Sequence, residues 1–216
     1  MKQIASLISI LFFVTTISAK AEIGMGVTGA VHFIKGSGSE TTRQSGQVNN
    51  GSHDETAAVP EIFVEAIDDT SGIALGLSYI PTRELGSKSR TDTETAAGRD
   101  NGTYTAKAEL DNVIQIYADF PTVETFGLMN HIKLGVQHVT VTTLESLNSG
   151  STYPNQDILG LTIGYGLKGD LGNNLYYKGE LTYTKFEQFE AHSTAGNVVS
   201  ANLDDVAAKF SLGYKF

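Results

Sequence analysis

Apolar and polar residues alternate along nearly the whole chain with a period of two, which is the pattern of β-strands with one apolar face. Eight segments show it, near residues 23–33, 61–66, 73–79, 104–117, 131–137, 159–168, 175–183 and 208–216. The last segment is the clearest, with Ala208, Phe210, Leu212, Tyr214 and Phe216 alternating with Lys209, Ser211, Gly213 and Lys215. The pattern predicts an all-β protein of eight strands.

The connections between the segments alternate in length. Short ones at DDTSG, DFPTVETFG and GDLGNN separate long ones over Gly36–Ala58, Thr82–Thr103, Leu144–Asp157 and Glu187–Asp205. Long loops at one end, with short turns and both termini at the other, are the layout of an outer-membrane barrel. We therefore predict an eight-stranded antiparallel, up-and-down transmembrane β-barrel.

A soluble β-sandwich would also give strands with one apolar face, and three features favour the barrel. The longer segments run about 10 to 14 residues, and a tilted membrane strand needs about 9 to 11, whereas soluble strands cluster near 5 to 6. The face opposite the apolar one carries charges of both signs. Aromatic residues lie toward the segment ends, where membrane interfaces favour them: Phe33, Tyr79, Tyr104, Tyr183, Tyr214 and Phe216.

Residues 1–21 are predicted to be a cleaved signal peptide. Lys2 gives a basic start, an apolar run extends from Ile4 to Ile17, and Ala19-Lys20-Ala21 is a small-x-small cleavage pattern. The run is too short for a spanning helix, which needs about 20 residues. We expect export through the periplasm to the cell outer membrane, with residues 22–216 as the barrel domain.

The composition excludes other classes of protein. Without the signal segment the chain has 195 residues and 13 Lys and Arg against 24 Asp and Glu, a net charge of −11, which argues against nucleic-acid binding. There is no cysteine for disulfides or lipid attachment. Gly24–Ala30 matches G-x-G-x-x-G, but a dinucleotide site needs a strand before the motif and a helix after it. We expect these glycines to lie within a strand and to bind no nucleotide.

The face opposite the apolar one is expected to point into the barrel. Its charged residues are Glu61, Glu65, Lys107, Glu109, Lys133, Lys178, Glu180 and Lys209. An eight-stranded barrel has an interior that side chains fill, and unpaired charges there would be costly. We therefore predict a lumen charge network that plugs the barrel.

Two features of the inner face leave alternatives open. Its glycines either leave water-filled space or ease the coiling of the strands: Gly24, Gly26, Gly76, Gly160, Gly164 and Gly166. Asn112 interrupts the apolar face of the fourth segment, so either a bulge or an error in the assigned register lies there. A slip of one residue would exchange lipid-facing and lumen-facing side chains.

The final residues, KFSLGYKF, place Phe210, Leu212, Tyr214 and Phe216 on one face. This motif resembles the C-terminal assembly signal of bacterial outer-membrane proteins. The resemblance implies recognition by the barrel-assembly machinery and periplasmic chaperones. With eight strands, the chain resembles small barrels of the OmpA, OmpX, OmpW and opacity-protein type in layout, which implies contact with outer-membrane lipid and lipopolysaccharide.

The function expected from this layout is structural or surface-interacting, with long extracellular loops on a plugged barrel. No pattern indicates an extracellular ligand, and the loop charges are expected to be solvated: Arg43, His53, Arg83, Lys88, Arg90 and Arg99. A narrow, porin-like channel for ions or small solutes is the alternative, and it would need separated inner charges.

A lipid-modifying enzyme is a weaker alternative. His138 is the one histidine on the outward face, but Thr140 stands where a serine nucleophile would be expected and no carboxylate is evident to orient the histidine. The remaining histidines are too widely spaced to indicate a metal site. We therefore expect no enzymatic activity, no metal and no cofactor.

Overall fold

The computed structural model describes residues 21–41, 43, 46, 48–92, 102–145, 153–194 and 196–216. Residues 1–20 of the predicted signal peptide lie outside this part, and Ala21 is the first residue of the first strand. Arg99 and the side chains of Lys88, Arg90 and Tyr104 also lie outside it. No helix in the described ranges is long and apolar enough to cross a membrane.

The described chain forms one closed antiparallel sheet. Its strands are β1 (Ala21–Thr41), β2 (Val48–Asp68), β3 (Ala74–Ile80), β4 (Arg83–Asp92), β5 (Gly102–Thr125), β6 (Leu128–Glu145), β7 (Gln156–Gly172), β8 (Leu175–Phe186), β9 (Phe189–His192) and β10 (Val198–Lys215). β1 pairs with both β2 and β10, which closes the barrel. β4 continues the wall strand begun by β3, and β9 continues β8, so the wall has eight strands, as predicted.

The outer surface of the wall is apolar. Val27 is 60% exposed and Leu161 is 70% exposed, and each belongs to a row of outward-facing apolar residues. The aromatic residues predicted for the outer face also point outward: Phe33, Tyr79, Tyr183, Tyr214 and Phe216. Burial is thus inverted relative to a soluble protein, since lipid surrounds the apolar face and polar residues line the interior.

The strands are longer than the sequence pattern indicated. β1 and β2 have 21 residues each and β5 has 24, whereas crossing a membrane takes about 9 to 11. The segments Gly36–Ala58 and Thr82–Thr103, which we predicted as long loops, are largely hairpins, because pairing continues to Thr41 opposite Val48 and to Asp92 opposite Gly102. Alternating hydrophobicity ends where a strand leaves the lipid, so it marked the membrane-crossing part and not the whole strand.

A β-bulge at Asn112 corrects one predicted face. Asp111 pairs with Thr140 and Ile114 pairs with His138, so two residues of β5 lie opposite one residue of β6. Asn112 has a φ of 50° there, a left-handed conformation that Asn tolerates better than most residues. The bulge reverses the alternation, so Leu110, predicted to face the lipid, is fully buried in the interior.

Candidate functional site: the barrel interior

Buried ion pairs form a continuous chain near the end of the barrel that carries the short turns; we call it the lower chain. The Glu65 carboxylate accepts a hydrogen bond from Lys178 Nζ at 2.7 Å, and the same ammonium lies 3.1 Å from Asp119. Lys133 Nζ continues the chain, at 3.3 Å from Asp119 and 2.9 Å from Glu180. Every one of these residues is buried, and each charge has an opposite charge within 3.3 Å.

Aromatic hydroxyls and a histidine complete the lower chain. Tyr117 and Tyr176 donate to Glu65 at 2.8 and 2.9 Å, and His131 Nε2 lies 2.9 Å from Glu180. Lys133 Nζ lies 3.6 Å from the centroid of the Tyr117 ring, a cation–π geometry that strengthens when the cation is desolvated. The lower chain therefore joins four strands of the wall: β2, β5, β6 and β8.

A second chain of buried charges, the upper chain, lies nearer the long hairpins. Lys209 Nζ donates to Glu61 at 2.8 Å. His32 lies between two carboxylates, with Nε2 3.3 Å from Glu61 and Nδ1 2.8 Å from Asp205. Arg83 Nη2 donates to Asp205 at 3.2 Å. Four strands of the wall contribute to this chain: β1, β2, β4 and β10.

Neutral polar side chains occupy the middle of the interior. Gln115 donates to Thr162 at 3.1 Å, and Gln137 donates to Thr184 at 3.2 Å. The hydroxyls of Thr162 and Thr184 lie 2.8 Å apart. A small polar cavity remains between the two chains; its charged lining residues are Glu61, Lys133, Lys178, Glu180 and Lys209.

An apolar layer fills the interior nearer the long hairpins. Its buried members are Val59, Ile80, Leu110, Val113, Val139, Val141, Ile158, Phe186, Phe189, Ala191 and Leu203. These residues come from β2, β3 and every strand from β5 to β10. The alternation pattern did not predict this layer, because it assigned apolar residues to the lipid face alone.

Inner-face glycines give room for large rings. An added Cβ on Gly76 would lie 2.1 Å from Cζ of Tyr117, its direct partner across the ladder. An added Cβ on Gly213 would lie 2.3 Å from Cζ of Tyr176, again the ladder partner. The glycines at these positions therefore neither leave water-filled space nor serve only strand coiling, because aromatic side chains occupy the volume.

The structure places the predicted network residues in two groups. Six of the eight lie in the interior: Glu61, Glu65, Lys133, Lys178, Glu180 and Lys209. The prediction is wrong for Lys107 and Glu109, which pair with each other at 2.6 Å on the outer face, with the Lys107 ammonium also 2.9 Å from Glu84. The bulge at Asn112 is the reason, since it reverses the faces of all residues before it in β5.

Three charged members of the two ion-pair chains were not predicted from the sequence, because they lie in segments that were predicted to be connections. Asp119 lay in a predicted short turn, and Asp205 ended a predicted long loop. Arg83 was expected to be solvated in a loop, but its side chain is only 1% exposed. Asp119 and Asp205 have the same parity as the inner faces of their neighbouring segments, which was the available signal. Arg83 has the opposite parity to Ser78, so the alternation gave no signal for it.

Two other clusters have polar groups close together. Asp119, His131 and Glu180 have potential metal ligands within 4.8 Å of one another, but the Lys133 ammonium already lies between Asp119 and Glu180, where a cation would bind. On the outer face, Thr140 donates to Asp157 at 2.7 Å, while His138 Nε2 lies 3.9 Å from the same carboxylate. A nucleophilic hydroxyl must donate to its base, and this one donates to the carboxylate instead.

The C-terminal motif lies on the outer face of β10. Phe210, Leu212, Tyr214 and Phe216 are all substantially exposed. The rings of Tyr214 and Phe216 contact each other with centroids 4.9 Å apart. The chain thus ends in a row of apolar side chains that lipid or another protein can reach.

Comparison with known proteins supports the fold. No protein-family model matches the chain, and no curated protein matches it by sequence. Its structure is similar to that of the outer membrane protein OprG from Pseudomonas aeruginosa, with 14% identity, a TM-score of 0.64, and coverage of 91% of this chain and 97% of that chain. It is also similar to a major outer membrane protein from Thermus thermophilus, with 12% identity, a TM-score of 0.51, and coverage of 87% of this chain and 99% of that chain.

The closed wall, the apolar outer belt and these similarities define the class. The protein is a small eight-stranded β-barrel of the bacterial outer membrane.

Proposed function

We propose that this protein has a structural and surface-interaction role, in which a filled barrel displays its long outer hairpins, and that it has no enzymatic activity and uses no cofactor. The pairing of the interior charges carries the proposal. Two ion-pair chains and an apolar layer occupy the interior, whereas a continuous pore needs a hydrated path along the axis. The plugged interior leaves the surfaces as the place of function.

The outer hairpins support the proposal because they are joined to one another. Glu40, near the end of β1, accepts hydrogen bonds from the hydroxyl of Tyr153 at 3.0 Å and from the side chain of Asn197 at 3.1 Å. The backbone N–H of Arg43 donates to the same Asn197 side chain at 3.1 Å. Three of the outer connections therefore share one hydrogen-bonded cluster, which suits a preformed surface.

The proposed partners follow from position. The apolar belt suits outer-membrane lipid, and the outer hairpins suit contact with lipopolysaccharide or with an extracellular ligand of unknown chemistry. The exposed row that ends in Phe216 suits recognition by the barrel-assembly machinery, with periplasmic chaperones during export. A narrow channel is the second candidate, and the small polar cavity between the two chains favours it.

Conductance distinguishes these two candidates. The mature protein, refolded and inserted into a planar lipid bilayer, is expected to give no steady single-channel current. A bilayer treated with the same detergent alone provides the baseline. Steady current steps from the wild-type protein would overturn the plugged-barrel proposal and establish a small pore.

A further inference from the structure

The turn between β5 and β6 has an aromatic residue in a conformation that disfavours one. Phe126 has a φ of 52° and Gly127 a φ of 77°, and the two residues join the paired Thr125 and Leu128. Two-residue turns with both φ values positive favour Asn or Asp before Gly, because a larger L side chain is strained there. The turn between β7 and β8 meets the same demand with Asn173, φ 52°, and Asn174, φ 65°.

The Phe126 ring gains no burial within the described chain to offset this strain. Its exposed fraction is 101%, so the ring lies wholly outside the fold. The other two short turns have polar residues at their tips, Thr70 and Ser71 in one and Asn173 and Asn174 in the other. Phe126 is therefore a specific feature of one turn and not a general property of this end of the barrel.

Exposed apolar surface connects the lipid-facing wall to this tip. Phe120 and Ile132 are ladder partners on the wall and are 39% and 42% exposed. Val123, at 65%, carries the apolar surface onward toward Phe126. The hairpin tip thus continues the surface that lipid already covers.

Hydrogen bonds hold this tip in a fixed orientation. The Asn130 side chain donates to the Val123 carbonyl and to the Thr125 hydroxyl, the latter at 3.0 Å. The Tyr165 hydroxyl, on the neighbouring strand of the wall, donates to the Asn130 side-chain oxygen. The tip is therefore a rigid extension of the wall.

We propose that the tip formed by Val123 and Phe126 inserts into the periplasmic leaflet and anchors the barrel at the boundary between headgroups and acyl chains. In outer-membrane barrels the end with the short turns faces the periplasm, and aromatic rings are favoured at this boundary. Insertion removes the ring from water without requiring a groove or a second protein. The partner is the phospholipid of that leaflet, because the tip is continuous with the lipid-covered wall.

The absence of tryptophan from the chain allows a direct test. Phe126→Trp and Asn173→Trp each introduce a single fluorophore, at the first residue of two turns with the same backbone conformation. Both variants are refolded into phosphatidylcholine vesicles, with some lipids brominated near the headgroup end of the acyl chain. The tryptophan at 126 is expected to emit at shorter wavelength, to be quenched by brominated lipid, and to be several-fold less accessible to acrylamide than the one at 173.

Two results would overturn the proposal. Equal emission and equal acrylamide quenching of the two variants would show that the tip lies in water. Protection from acrylamide without quenching by brominated lipid would place the ring against a second copy of the chain instead.

A second substitution separates anchoring from turn stability. Phe126→Asn supplies a residue that the turn conformation favours, so the folded barrel in detergent should unfold at an equal or higher temperature. In vesicles the same variant should fold into the bilayer more slowly than the wild type, because the anchor is lost. Folding into vesicles at the wild-type rate would contradict the anchoring role.

Discussion

Individual glycines decide how the barrel interior is filled. Tyr117 and Tyr176 point inward, and each lies over a glycine directly across the ladder, Gly76 and Gly213. The rings bring their hydroxyls to Glu65 only because no Cβ stands in the way. Small and large residues on neighbouring strands thus act as complementary pairs.

Gly76→Ala should therefore destabilise the barrel by about 1–3 kcal/mol, as overpacking of a filled interior does. Gly179→Ala is the matched control, since an added Cβ at Gly179 meets nothing within 4 Å, and there alanine should be neutral or stabilising by about 0.5–1 kcal/mol. Urea unfolding of both variants in lipid vesicles measures the difference. Equal stability of the two would show that the Tyr117 ring lies elsewhere.

The lower chain gives a second prediction for single residues. Glu65→Gln removes the charge that neutralises Lys178 at 2.7 Å in a buried site, and breaking such a pair costs about 3–5 kcal/mol. Glu109→Gln removes the charge of a partly exposed pair on the outer face, where solvent screens the charges and such pairs contribute little to stability. The free energy of unfolding should fall much further for Glu65→Gln, and equal losses would contradict the buried placement of Glu65.

At the scale of the secondary-structure element, the way the side chains of β5 face depends on one residue. The bulge at Asn112 reverses its alternation and so sends Leu110 inward and Lys107 outward. This reversal supplies one member of the apolar layer and keeps the Lys107–Glu109 pair out of the interior. One residue with a positive φ thereby sets the faces of the outer half of the strand.

Asn112→Gly should retain the bulge and leave stability within about 0.5 kcal/mol, because glycine adopts positive φ freely. Asn112→Val should lower the free energy of unfolding by about 1–2 kcal/mol, because the left-handed conformation is strained for an L-residue with a Cβ. Urea unfolding compares the two variants. A valine variant as stable as the glycine variant would rule out the bulged backbone.

At the scale of the whole molecule, we expect the ion-pair chains and the apolar layer to act as two kinds of barrier in series. The lower chain lies toward the short turns, and the upper chain and the apolar layer lie toward the long hairpins. Neutralising charges in the chains leaves the apolar layer intact. The barrel should therefore stay closed unless both barriers are changed.

Glu61→Gln with Glu180→Gln should accordingly give no steady current in a planar bilayer. Adding Leu110→Ala and Phe186→Ala, which empties part of the apolar layer, should produce measurable conductance. Each alanine substitution is expected to lower the free energy of unfolding by about 2–5 kcal/mol. Folding is therefore first verified by the difference in electrophoretic mobility between unboiled and boiled samples. Steady current from the charge variant alone would show that the apolar layer is not a barrier.

The sequence by itself determined the class and the layout of this protein. Alternation with a period of two identified the membrane-crossing part of each wall strand, because lipid contacts one face of every strand. The alternating connection lengths fixed the up-and-down order. The same alternation also predicted which charged residues point into the barrel. This prediction holds where the strands are regular, at Lys133, Lys178, Lys209, Glu61 and Glu65.

The tertiary structure decided the features that an alternation with a period of two does not predict. The bulge at Asn112 depends on how β5 pairs with β6, and a single added residue there exchanged the faces of Lys107 and Leu110. Extension of the strands as hairpins beyond the membrane brought Asp205 and Arg83 into the interior, because pairing across the barrel, and not hydrophobicity, sets where a strand ends. The apolar layer also arises only when inward residues from many strands meet, since lipid and a packed interior both accept apolar side chains.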